Sequence, residues 1–162
     1  MVASYLTDVE KLLEAQCWDA ALCEAYELPR IAAALTDPTL QSTGSRQKTW
    51  CEQWMRPVDD EEASEGLDYE SLRRTVCERL EHEAAQRPAV PTRALRRLRL
   101  SRHVRTAPRG FVPSQPADDD PGASESAQIC TALIEAARRW YARSACHDTV
   151  VQANLARLAV LR

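Results

Sequence analysis

The clearest pattern in the chain lies at its end. Ile129, Leu133, Ala136, Trp140, Ser144, His147, Val151, Leu155 and Leu158 follow one another at steps of three or four residues. That spacing is the period of one buried helix face. The opposite side carries Gln128, Glu135, Arg138, Arg139, Arg143 and Gln152, and neither Gly nor Pro occurs from Ser124 to Arg162. An apolar stripe of this length needs cover, so the shorter upstream segments are expected to pack on it. Ser124 or Ser126 can cap the first turn, and the acidic run Asp118-Asp119-Asp120 suits that end of the helix dipole. The middle is poorer helix sequence. From Ser144 to Thr149 small and polar residues accumulate, and Asp148 can cap a new helix. The pattern allows one bent helix or two, about 125–145 and 149–161.

Upstream, the same period recurs in shorter pieces. Leu6, Val9 and Leu13 line a helix over 4–16, with Leu12 beside them. After a break at Gln16-Cys17-Trp18, Asp19 caps a second helix that ends near Leu28 and buries Ala21, Leu22, Ala25 and Tyr26. Pro29 suits the first position of a third helix, with Ile31, Ala34 and Leu35 inward and Asp37-Pro38 as its stop. Ser45 caps a helix over 46–56, where Trp50 and Trp54 stand one turn apart beside Cys51 and Met55. The two tryptophans are core residues or a stacking platform for a base or ligand. Asp68 caps a fifth helix to about Gln86, with Leu72, Val76, Leu80 and Ala84 as its buried ridge.

The interval 92–102 reads as helix through Leu95 and Leu98, although the alternation over 97–100 also suits a strand. These elements predict an all-α protein: a single helical-bundle domain of five to seven helices. N-terminal helices occupy 4–57 and middle helices 67–105. A Pro-rich linker over 106–123 precedes a long C-terminal helical segment, 124–162. The few Gly and the nine Pro agree, since they fall in loops, linkers or helix starts.

Charge changes the picture more than net charge does. From Ala84 to Ala117 there is no Asp or Glu, whereas Arg87, Arg93, Arg96, Arg97, Arg99, Arg102, Arg105 and Arg109 all fall there. Acidic runs flank it, at Asp59-Asp60-Glu61-Glu62 and Asp118-Asp119-Asp120. Such segregation attracts phosphate or an acidic protein face, or else the acidic runs pair with it internally. Lys11 and Lys48 are the only lysines, so the choice of Arg at any one position carries no information. The six cysteines form no Cys-x-x-Cys and sit mostly in helical patterns, which points to unpaired thiols in a reducing cytosol. No leader-like segment or membrane-length apolar run is visible, so a cytoplasmic protein without a membrane partner is expected.

Candidate chemistry is sparse. There is no glycine-rich phosphate loop, no nucleophile elbow and no His-Glu-x-x-His. His82, His103 and His147 lie far apart, and neither a metal nor a cofactor is expected. His147 falls on the apolar stripe, as a core histidine does. It is also four residues after Arg143, so on a continuous helix the two could meet. An Arg holding phosphate beside a His general base is a pair suited to RNA cleavage.

Leu28-Pro29-Arg30-Ile31, Asp37-Pro38 and Trp50-Cys51-Glu52-Gln53-Trp54 resemble the upstream helices of small bacterial proteins of the HEPN class. That resemblance implies a helical fold and RNA cleavage by Arg, four to six residues, then His on a late helix. Here three residues separate Arg143 from His147, so the motif is not matched.

The pattern as a whole points away from an enzyme. The expectation is an interaction or regulatory protein of a bacterial cytoplasm, binding an acidic protein surface through Arg93, Arg96, Arg97, Arg99, Arg102 and Arg105. The first alternative is a nucleic-acid-binding protein using the same arginines, with Trp50 or Trp54 for stacking. The second is a HEPN-like ribonuclease or its inactive relative, with Arg143 and His147 as the catalytic candidates. The long apolar terminal segment is also compatible with a homodimer.

Overall fold

The computed structural model describes residues 1–56, 67–86, 95, 96, 98 and 121–160. Its helices are α1 (Val2–Glu14), α2 (Trp18–Ala25), α3 (Glu27–Leu35), α4 (Gly44–Trp54), α5 (Tyr69–Gln86), α6 (Pro121–Trp140) and α7 (Thr149–Val160), with a π-helical turn, Tyr141–Ala145, after α6. The expected all-α architecture is the observed one, and no strand occurs among the described residues. The acidic loop 58–66, positions 106–120 of the expected linker, and Arg93, Arg97, Arg99, Arg102 and Arg105 lie outside the described residues.

Helix α6 is the element around which the others gather. It packs against α1, α2, α3, α4 and α5. The sequence explains why: Ile129, Leu133, Ala136 and Trp140 recur along one side and are all buried, joined by Cys130, Ala132, Ile134 and Ala137. A helix apolar over so much of its circumference is stable only when covered on several sides. Against α2 the packing uses small residues, Ala21 and Ala25 on one helix and Ala132, Ala136 and Ala137 on the other, which let two backbones approach closely. Leu6 and Val9 of α1, Ile31 and Leu35 of α3, Trp50 of α4 and Leu72, Val76 and Leu80 of α5 complete a continuous core. Ala84, expected on the same ridge of α5, is exposed.

Helix ends follow local chemistry, sometimes one step from the expected residue. Asp68 accepts from the Ser71 amide at 3.1 Å and starts α5 as anticipated. Thr43, rather than Ser45, caps α4 by accepting from Arg46 N at 3.4 Å. Helix α2 begins at Trp18, so Asp19 lies inside its first turn. Pro29 is the third residue of α3, still within the turn whose amides lack helical acceptors. Helix α6 begins at Pro121, so positions 121–123 belong to the helix instead of the linker.

The C-terminus of α1 closes with two back-pointing bonds, Gln16 N to Leu13 O and Cys17 N to Leu12 O, both 2.9 Å. Gln16 adopts φ 56° to make them. This is the glycine-type helix stop built on a residue that carries a Cβ.

Of the two arrangements the terminal stretch allowed, two helices are observed. The π turn ends at Ala145, and Asp148 Oδ1 then accepts from Val150 N at 2.8 Å and Val151 N at 3.1 Å to start α7. The expected stripe breaks at this joint. Ser144 is half-buried and His147 is exposed, so the reading of His147 as a core histidine is corrected. The π turn and the turn after it rotate the chain, and in α7 the inward side is Val151, Asn154 and Leu158.

Candidate functional site

Within the Arg-rich interval the described residues are few but informative. Leu95 and Leu98 are helical and buried in the common core, and Arg96 between them is exposed. The apolar members thus anchor the segment, as their helical spacing predicts. Of the six arginines expected to form the binding edge, Arg96 alone lies among the described residues.

Arg143 sits in the π turn and His147 in the turn that follows, and both are exposed. They are not on one continuous α-helix: the His147 amide bonds back to Ser144 O at 3.1 Å, and the chain restarts at Asp148. The premise that would stack the two side chains is therefore absent at this joint.

Trp50 is a core residue. It is 5% exposed and meets Trp140 edge to face, with ring centroids 6.4 Å apart and planes at 74°. Trp140 in turn meets Tyr141 at 6.4 Å and 66°. A base cannot stack on a ring already enclosed in this way. Trp54 is half-buried, and its carbonyl accepts from Arg139 Nη2 at 3.1 Å.

Two polar constellations were not anticipated. The first closes the end of α3. Asn154 on α7 is buried and donates to Leu35 O at 3.0 Å and Asp37 O at 2.8 Å. Arg157 donates to Pro38 O at 2.9 Å and Asn154 Oδ1 at 3.1 Å. Asp37 receives the Thr39 hydroxyl and amide, the Gln41 amide and the Arg46 guanidinium. The Thr39 hydrogen bond, then that of Arg46, holds the Asp37 carboxyl well below the ordinary carboxylate range. The sequence did carry a signal: Val151, Asn154 and Leu158 share a helical face, and an Asn there has to find buried partners.

The second constellation joins α3 to α5. Arg30 bridges Glu27, at 2.9 Å, and Glu83, which also accepts from Arg79 Nε at 3.2 Å. The Arg79 guanidinium lies 4.6 Å over the Tyr26 ring. Burial pushes the Tyr26 hydroxyl up to about 12, although the Arg79 charge opposes it. Desolvation would raise Glu83, yet hydrogen bonds from Arg30 and Arg79 outweigh it and leave that carboxyl lowered. These groups neutralise one another and form a structural clamp rather than an acid–base pair.

Among the described residues no three His, Cys, Asp or Glu side chains gather as a metal site, and no helix is long and apolar enough to cross a membrane. No family model, curated protein or solved structure matches the chain.

Proposed function

We propose that this chain is a non-enzymatic interaction protein of the bacterial cytoplasm that binds an acidic protein surface through Arg93, Arg96, Arg97, Arg99, Arg102 and Arg105. One observation carries the reading: Leu95 and Leu98 are buried in the core while Arg96, between them, faces out. Arg96 is thereby held on the scaffold, within an acid-free stretch that carries eight arginines. A side chain held in place loses less freedom on binding than a loose one, and the field of such a charge cluster steers an anionic partner. The enclosed Trp50 ring favours a protein partner over a nucleic acid, because it removes one of the two stacking surfaces a single strand would use.

The test is capture from a lysate of the source cell, with and without nuclease, by the wild type and by an Arg96→Glu/Arg97→Glu/Arg99→Glu protein. The reading expects an acidic protein that survives nuclease and is lost with the charge reversal. Retention of the same proteins by both baits contradicts it. Material lost to nuclease, with a log–log salt slope of roughly −3 to −5 for about four to six phosphates, indicates nucleic-acid binding instead.

A further inference from the structure

Helices α4 and α5 run antiparallel in a tight register. A Cβ placed on Gly44 would lie 3.0 Å from the Ala84 Cβ, and one turn further Lys48 Nζ bonds Glu81 Oε1 at 2.6 Å. Continuing the register along both helices brings Cys51 opposite Cys77. Both residues are buried, Cys51 at 0% and Cys77 at 8% exposure, and their thiols lie close enough to influence each other. No disulfide joins them in this structure.

The surroundings of the pair are polarised. Arg73 stands four residues, about one helical turn, before Cys77 on the same side of α5. Its Nη2 pairs with Glu70, while its buried Nε has no acceptor among the described residues and so favours negative charge nearby. Arg73 favours the thiolate at both cysteines, Lys48 of α4 favours it at Cys77, and Glu52 of α4 opposes it at both. Cys77 keeps 8% exposure whereas Cys51 has none, so the two members are inequivalent and a small oxidant reaches Cys77 first. Cys130 gives the contrast: it is buried in α6, and burial pushes its thiol up to about 12.

We propose that Cys51 and Cys77 form an oxidisable dithiol site, with Cys77 the sulfur that reacts first with a hydroperoxide and Cys51 the one that resolves it into an α4–α5 disulfide. The Cys77 sulfur attacks one peroxide oxygen. The O–O bond breaks, hydroxide leaves and is protonated to water, and Cys77 becomes a sulfenic acid. The Cys51 sulfur then attacks the Cys77 sulfur. The S–O bond breaks, and the departing hydroxide leaves as water with the Cys51 proton. One hydrogen peroxide is reduced to two waters while two thiols become one disulfide. The two cysteines face each other across the tight α4–α5 register, so closure to the S–S length of about 2.05 Å asks for side-chain movement more than helix displacement.

The test is native full-length protein treated with about one equivalent of hydrogen peroxide, then digested without reductant and mapped by mass spectrometry. The expected product is a peptide pair joining Cys51 to Cys77, with a loss of two hydrogens from the intact mass and Cys130 unmodified. In Cys51→Ser a sulfenic acid accumulates on Cys77 and is trapped by dimedone. Arg73→Gln slows formation of the disulfide several-fold at neutral pH. The wild-type map requires no variant to fold. Links confined to Cys17, Cys23 or Cys146, dimedone on Cys51 in Cys77→Ser at the same rate, or no 51–77 link at all would overturn the proposal.

Discussion

Two joints of this molecule do the same job by opposite means. Where α6 meets α2 and α4, the contact is apolar: small alanines on α2 and α6, and the crossed rings of Trp50 and Trp140. Where α7 meets α3, the contact turns on one buried Asn154, which donates to the carbonyls of Leu35 and Asp37. The first joint draws its stability from area removed from water and from close packing. The second adds little net energy per bond but is costly to break, because a carbonyl left dry loses its hydration without replacement. A periodic apolar face can therefore slide or be repacked, whereas the Asn154 joint fixes where α7 must sit.

The comparison can be broken from either side. The largest effect is expected from Trp140→Ala, which empties the centre of the apolar joint and should destabilise the fold by about 3–5 kcal/mol in denaturant unfolding. Asn154→Leu keeps similar volume and adds apolar surface. If the polar joint works as described, it still destabilises by about 1–3 kcal/mol, since Leu35 O loses the Asn154 donor and Asp37 O keeps only the Leu40 amide. A neutral or stabilising Asn154→Leu would show that the joint is only another apolar contact.

Smaller again is the acid response of the same joint. The Asp37 carboxyl is held low by Thr39 and Arg46, so its stabilising contribution is present above the ordinary carboxylate pKa of about 3.9 and is lost as pH falls toward its folded value. Asp37→Asn is expected to destabilise at pH 7, and the gap to wild type should narrow below about pH 4. Glu83 shares the direction, so the wild type keeps some acid sensitivity in that variant. The smallest effect is a gain. Gln16→Gly relieves φ 56° at the end of α1 and should add about 0.5–1 kcal/mol, a rise in Tm of roughly 2–4 °C at most for a chain of this size.

What could be read from the sequence divides along the same line. The apolar joint was legible: Ile129, Leu133, Ala136 and Trp140 were assigned to one buried face, and the upstream helices do pack on it. Asp68 and Asp148 were legible as helix starts because a short carboxylate accepts from amides two or three residues ahead wherever the helix begins. The stripe failed past Trp140 because a π turn changes the residue spacing, and a rule built on 3.6 residues per turn cannot carry its phase across it. His147 was carried inward by that error, and Asn154 was left outside. The Cys51–Cys77 contact depends on the register between two helices, which neither helix encodes alone. The shared helix face of Leu95 and Leu98 was legible because the spacing argument is local, and both are helical and buried.

The proposed role of Arg93 to Arg105 is tested most sharply by the affinity of the chain for an acidic protein captured from the lysate. Wild type, Arg96→Glu/Arg97→Glu/Arg99→Glu, and an Arg138→Glu control on the outer side of α6 are titrated against it at low and at physiological salt. The triple variant is expected to lose binding at least a hundredfold while the control stays within about threefold. Wild-type affinity is expected to fall as salt screens the arginines. Equal affinity for wild type and the triple variant would contradict the proposed role.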